Sequence, residues 1–419
     1  MKMLPEKIRI LDLSIGGSSK GQLIHQSRFE FRYLESDLDQ LSVGILMPPS
    51  KMTYEDIALF PVMDQNIPEG DLFMRLRQMF PKQPLTAMHL LALSGQNGIG
   101  RLGFSMPGQE APEKPTLISR KQLLDTVFTP QVFDDLVRAY LSTGAGVAGM
   151  QPKIMIPDRP TVAIPTVIVK ASSAAYPGLA ANEYLCLKAA AAARIATPEV
   201  ELSNDGHMLL VDRFDIDKDG HRIGFEDIAS IMGLRVRDTL SDRKYHGSYE
   251  RIAEALRMLR LPEEDLHRFF EQVAFTVMAS NGDGHLKNYG VLYTSANDLR
   301  LAPMFDVVTT SIYRYTRLQG GEDLEDRTMA LKLFAGKGQT RTYPTTAELT
   351  RFGREICRVH DPKDVLCRIA DAMADTLGGA QRDERIPSDM LAKMSDVWSS
   401  GMNHAVEACR IGKTVQQRR

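Results

Sequence analysis

The chain has 419 residues, 43% of them hydrophobic and 25% charged, and a formal net charge of −2. That length points to roughly two or three structural units, and the composition is ordinary for a soluble globular protein. A near-neutral charge gives no electrostatic case for nucleic-acid or membrane-surface binding, and no apolar run approaches the ~18 residues that a spanning helix needs.

Residues 1–115 show a mixed α/β pattern. Residues 21–25 and 28–33 alternate apolar with polar, as half-buried strands do, and 42–47 reads as a further strand stopped by Pro48 and Pro49. Asp71 is placed to cap a helix over 72–79, and a second helix over 86–94 ends near Gly95. Residues 100–104 resume extended structure, and 107–115 has the Pro/Gly/Glu content of a linker. Two polar helices, at 118–126 and 130–140, lead into Ser142-Thr-Gly-Ala-Gly-Val-Ala-Gly-Met-Gln-Pro-Lys153. Gly144, Gly146 and Gly149 let backbone amides approach an anion closely, although a structural turn would use the same glycines. Strands at 154–156 and 166–170 flank this cluster, and Lys170 ends the second one. Its ammonium suits phosphate oxygens, with a solvated strand-end lysine as the competing reading.

An Ala-rich helix over 182–194 follows, with Glu183 in its first turn as a partner for Lys170 or as a solvated helix-start acid. The apolar strand 207–211 runs into Asp212-Arg-Phe-Asp215, a connector whose backbone suits an adenine and whose Asp215 suits a ribose. Helices at 248–260 and 262–280 come next, the second opened by Pro262 and three acidic residues. Strands at 289–293 and 299–302, a polar stretch at 310–328 expected to be a mobile loop, and a helical region over 345–408 complete the chain. The basic residues from Arg410 to Arg419 read as a solvated end. Cys186, Cys357, Cys367 and Cys409 lack disulfide or zinc spacing, and the N-terminus lacks a signal-peptide core, so the expected location is the cytoplasm.

The chemistry concentrates in Asn281-Gly-Asp-Gly-His-Leu-Lys-Asn288 and Met304-Phe-Asp306. Phosphoryl transfer needs a carboxylate to orient the attacking hydroxyl, and a carboxylate with an amide oxygen to hold Mg²⁺ on the phosphates. Asp283, Asn288 and Asp306 supply that inventory.

With these motifs in order, the chain resembles the HipA family of bacterial serine/threonine kinases, the toxin halves of HipBA-type toxin–antitoxin modules. The likeness covers nearly the whole chain. It rests on Phe60-Pro-Val-Met-Asp-Gln-Asn-Ile-Pro-Glu-Gly70 and Gly100-Arg-Leu-Gly-Phe104, then Val147-Ala-Gly-Met-Gln-Pro-Lys153, Ile168-Val-Lys170 and Asn182-Glu-Tyr184. Asp212-Arg-Phe-Asp215, Asp283-Gly-His-Leu-Lys-Asn288 and Phe305-Asp306 complete the series.

The resemblance implies an α+β, two-lobed protein-kinase-like fold. An N-terminal α/β subdomain would span 1–115, an N-lobe-like part 116–215, and a largely helical C-lobe 216–419. It implies ATP and Mg²⁺ as cofactors, with Gly146, Val147, Ala148, Gly149, Lys153 and Lys170 toward the phosphates and Glu183 beside Lys170. Asp212 and Phe214 would form the adenine hinge and Asp215 would reach the ribose. Asp283 would be the catalytic base, Lys287 would face the transferred phosphoryl group, and Asn288 and Asp306 would ligate the metal. His285 joins the nucleotide site as a structural hydrogen-bonding histidine in preference to a metal ligand. Family members often carry an autophosphorylated serine in the Gly-rich loop; here Gly146 occupies that place, with Ser142 and Thr143 just upstream.

The family further implies a protein substrate such as an aminoacyl-tRNA synthetase, a HipB-like helix-turn-helix antitoxin, and DNA contact only through that partner. Two other readings stand beside this one: a small-molecule phosphotransferase on the same fold, and a nucleotide-gated binding partner in a repressor complex.

Overall fold

The computed structural model describes residues 4–35, 42–108, 118–141, 153–158, 164–172, 176–235, 242–316, 323–325 and 327–416. They divide into two compact units. The first comprises Met1–Ser173, Ser203–Lys244 and Gly290–Leu299; the second comprises Ala174–Leu202, Tyr245–Tyr289 and Arg300–Arg419.

The first unit opens with β1 (Ile10–Ile15), β2 (Ser18–His25), β3 (Phe29–Tyr33) and β4 (Thr53–Asp56), and β5 (Leu102–Ser105) joins the same antiparallel sheet in the order β4-β3-β2-β1-β5. Alternation decides which side is buried: Leu11, Leu13, Leu23 and Phe31 face a core, while Arg32 between Phe31 and Tyr33 is exposed. Between the strands lie α1 (Pro61–Asp64), α2 (Gly70–Met79) and α3 (Ala87–Ser94). The α3 helix begins and ends where its caps predict, at Thr86 and Gly95. The α2 helix starts two residues earlier than expected, with Glu69 rather than Asp71 at its N-cap.

The strand expected at 42–47 is not formed; the segment turns. Side chains satisfy its backbone in place of a ladder. Tyr33 accepts the Val43 N–H at 2.9 Å and donates to the Met47 carbonyl, and Glu226 accepts the Ile45 N–H at 2.6 Å.

After α4 (Arg120–Asp125) and α5 (Pro130–Leu141), a second sheet sets β6 (Lys153–Ile156), β7 (Val167–Ala171) and β8 (Met208–Asp212) side by side, all antiparallel. Its Ile154, Met155, Val167 and Val169 belong to the same continuous hydrophobic core as Leu11, Phe31 and Phe104. The N-terminal sheet therefore shares its core with the strands that follow it.

Residues 216–235 and 242–244 likewise pack with this unit. Two arginines explain that. Arg222 donates to the carbonyls of Gln96, Gly98, Gly100 and Leu102 at 2.7–2.9 Å, and Arg213 donates to those of Asn97, Gly98 and Pro165 at 2.9–3.1 Å. Strand β9 (Gly224–Asp227) then pairs antiparallel with β10 (Gly290–Tyr293).

The second unit is mainly helical. It contains α6 (Leu179–Ala192), α7 (Tyr249–Met258), α8 (Glu263–Met278), α9 (Thr346–Arg351), α10 (Pro362–Ala380) and α11 (Ser388–Gln416). Helix α8 carries Glu263, Glu264 and Asp265 at its positive end and buries Phe269, Phe270, Val273 and Phe275. Helix α11 crosses its far end so closely that a Cβ added at Gly401 would lie 1.9 Å from the Met278 carbonyl oxygen. Within 310–328 the described residues form a 3₁₀ turn at Thr310–Ile312 and two short antiparallel strands, β11 (Arg314–Thr316) and β12 (Asp323–Glu325).

Candidate active site

Helix α8 delivers the acidic motif at its C-terminal end. Ser280 takes a left-handed φ of 52°, turning the chain out of the helix, and Asn281 returns its N–H to the Thr276 carbonyl at 2.9 Å. The buried Asn281 side chain then accepts the Asp283 N–H at 3.0 Å, while Thr310 accepts the Gly282 N–H at 2.7 Å and donates its own N–H to the Ser280 carbonyl at 3.2 Å. Both glycines are required by close approach. A Cβ on Gly282 would sit 2.7 Å from the Thr328 carbonyl oxygen, and one on Gly284 would sit 2.9 Å from Thr276 Cγ2 and 3.0 Å from the Tyr249 hydroxyl. Tyr249, wholly buried, donates that hydroxyl to the Gly284 carbonyl at 2.8 Å, and burial raises its pKa well above the ordinary phenol value.

This frame leaves Asp283 exposed, its side chain 51% accessible, and its carboxylate accepts the Tyr245 hydroxyl at 2.7 Å. His285 is buried, its Nε2 4.0 Å from the same carboxylate oxygen and its ring edge-on to Tyr245 at 5.2 Å. Lys287 sits half-buried in the 3₁₀ turn Leu286–Asn288.

Asn288 and Asp306, 18 positions apart, are brought together: the Asn288 amide donates to the Asp306 backbone carbonyl at 2.9 Å. That bond orients the amide, and its Oδ1 is buried with no hydrogen-bond partner among the described residues. A buried carbonyl oxygen left without a donor is costly unless a cation takes it. Asp306, half-buried, holds a left-handed φ of 55°, a conformation that asparagine and aspartate tolerate better than other side chains and that recurs at functional sites. An amide oxygen and a carboxylate are the hard donors that Mg²⁺ prefers, so the residues present fit that ion. Three positions on, Thr309 is locked to α6: Asn182 donates to its carbonyl at 3.0 Å and accepts its N–H at 2.9 Å.

The first unit holds other residues that the sequence singles out. Lys153 and Lys170 face each other across β6 and β7, in register and therefore on one face of the sheet, and both are buried. Two lysines at paired positions concentrate positive charge on that face of the sheet. Glu183, fully buried in α6, belongs to the second unit. At the connector, Asp212 accepts both Arg120 guanidinium nitrogens at 2.7 Å, and Phe214 packs edge-on to Phe225 at 5.7 Å.

The Asp215 side chain is 1% exposed, bound to Arg213 at 2.6 and 3.0 Å and to the Gly100 N–H at 2.7 Å, so it braces the connector. Gly146, Val147, Ala148 and Gly149 of the expected phosphate loop, with Ser142 and Thr143, lie outside the described residues. Sequence reasoning missed Tyr245, Tyr249, Thr309 and Thr310, which reach the motif from other elements and carry no spacing signal.

Fold and site together define an α+β, kinase-like chain with a metal-compatible acidic centre. The HipA-like C-terminal domain matches residues 145–380 and the HipA N-terminal domain matches 11–105. The chain belongs to the HipA family. Y4mE of Sinorhizobium fredii, named as an inferred kinase, is 25% identical over 333 residues, covering 73% of this chain and 78% of its own. A Haemophilus influenzae protein, likewise named as an inferred kinase, is 26% identical over 194 residues, 42% of this chain and 56% of its own. HipA of Shewanella oneidensis MR-1, solved with HipB and operator DNA, shares the fold at a TM-score of 0.65 and 16% identity, over 94% of this chain and 96% of that one. Among the described residues no helix is long and apolar enough to cross a membrane.

Proposed function

We propose that this chain is an ATP- and Mg²⁺-dependent protein serine/threonine kinase of the HipA type. The observation that carries the reading is Asn288: its amide nitrogen is tied to Asp306 and its buried oxygen has no donor among the described residues. Asn288 and Asp306 would hold Mg²⁺, which when bound neutralises charge on the phosphates. Asp283, exposed on a rigid loop, accepts the proton of the attacking hydroxyl. Lys153 and Lys170 bind phosphate oxygens, and Lys287 offsets charge on the transferred group. The connector from Asp212 to Phe214 presents its backbone to the adenine.

As a HipA-type kinase the protein would act as a growth-inhibiting toxin on a translation component, an aminoacyl-tRNA synthetase being the first candidate, and would be held in check by a HipB-like antitoxin through which it meets DNA. Transfer of label from radiolabelled ATP into lysate proteins tests the core of this. A labelled protein band that disappears in Asp306→Asn is the expected result, and labelling of small molecules alone would sink it. Self-phosphorylation at Ser142 or Thr143 predicts an intact-mass gain of one phosphate after incubation with MgATP.

A further inference from the structure

Asp283 stands on a loop whose backbone is pinned at Asn281, Gly282, Gly284 and His285, yet its side chain projects into solvent. A half-exposed aspartate samples several rotamers, and a base that must meet an acceptor hydroxyl loses rate to that freedom. The Tyr245 hydroxyl, 2.7 Å from Asp283 Oδ1, removes it. Tyr245 ends the 3₁₀ turn Asp242–Tyr245 and is itself held, half-buried, with its ring edge-on to the buried His285. The tyrosine is therefore fixed before it meets the carboxylate. His285 gains a purpose from the same contact: it supports the ring that supports the base.

We infer that Tyr245 is a positioning residue for phosphoryl transfer, holding the Asp283 carboxylate toward the incoming hydroxyl. The inference rests on the kinase reading. In the step concerned, the acceptor oxygen bonds to the γ-phosphorus, the bond from that phosphorus to the β–γ bridging oxygen breaks, the acceptor proton passes to Asp283, and ADP leaves. A carboxylate accepts about four hydrogen bonds, so the phenol and the acceptor hydroxyl fit on it together. Tyr245 neither gives nor takes a proton.

Tyr245→Phe removes the hydroxyl and keeps the ring against His285. Steady-state MgATP turnover with water as acceptor, MgADP affinity and thermal midpoint are measured on wild type and variant. The hydrogen bond to a charged group predicts kcat about 10-fold lower, with KM for MgATP and MgADP affinity within about twofold and the midpoint little changed. Turnover equal to or faster than wild type overturns the inference and would mark Tyr245 as idle or as an obstruction to Asp283. A fall in kcat accompanied by lost MgADP affinity and a lower midpoint also overturns it, since that is general disruption. A wild-type chain that binds MgADP but turns over no MgATP overturns the kinase reading, and this inference with it.

Discussion

Trp398 donates its indole N–H to the Thr309 hydroxyl at 2.8 Å, inside the second unit and with both residues fully buried. Thr309 lies three residues beyond Asp306, and Asn182 holds its backbone from α6. Two helices far apart in sequence thus fix the segment that follows the candidate metal ligand.

Trp398→Phe should therefore do more than shrink a core residue. It removes one of the two hydrogen-bond partners of the Thr309 hydroxyl, leaving the Cys186 thiol, and opens space at α11, a combined cost of about 1–3 kcal/mol. Urea unfolding reads that cost. The Mg²⁺ concentration for half-maximal turnover should also rise, because the Asp306 segment loosens. An unchanged Mg²⁺ requirement would separate Trp398 from the metal-binding segment.

Asp306→Asn isolates charge from backbone. Asparagine tolerates the left-handed φ of 55° as aspartate does, so the loop should keep its course. Phosphoryl transfer should fall by about 10²-fold or more, with a thermal midpoint close to wild type. Retained turnover would remove Asp306 from the metal site.

Gly284→Ala puts a methyl group 2.9 Å from Thr276 Cγ2 and 3.0 Å from the Tyr249 hydroxyl, both inside a packed core. Neither neighbour is the far end of a flexible chain. Overpacking of this kind costs about 1–3 kcal/mol, and the displaced loop should carry Asp283 with it. Turnover should drop together with stability. A variant as stable and active as wild type would show that the loop has slack.

Much of this was legible in the sequence because it is local. The caps at Thr86 and Gly95, the acidic start of α8 and the strand pairs around Lys153 and Lys170 follow from residues within a few positions. Asn288 and Asp306 were legible as donor types suited to a metal, whereas the bond from the Asn288 amide to the Asp306 carbonyl is visible only in the fold. The segment 42–47 misled because its apolar run suits a strand, whereas Tyr33 and Glu226, remote in sequence, take its hydrogen bonds. The bonds of Asp215 were hidden for a similar reason. Arg213 lies two residues away, but nothing near Asp215 in sequence reveals that the Gly100 amide also occupies its carboxylate.

Glu226 gives the first unit a pH dependence. It is buried with Tyr293, Ser230 and the Ile45 amide donating to it, but burial outweighs them and raises its pKa from 4.5 to about 7. Unfolding releases it to the ordinary value, so the unfolded chain loses this proton near pH 4.5 while the folded chain keeps it until about pH 7. Its stabilising contribution is therefore complete below the lower value and is lost as pH rises through the upper one. The linked loss is on the order of 3 kcal/mol across that window. Glu226→Gln keeps an oxygen for Tyr293 and Ile45 and cannot ionise. Urea unfolding at pH 5 and pH 8 should show wild type losing stability between the two values and the glutamine variant losing less. Equal slopes for the two proteins would mean that Glu226 is ionised in the fold at neutral pH, with its three donors outweighing the cost of burial.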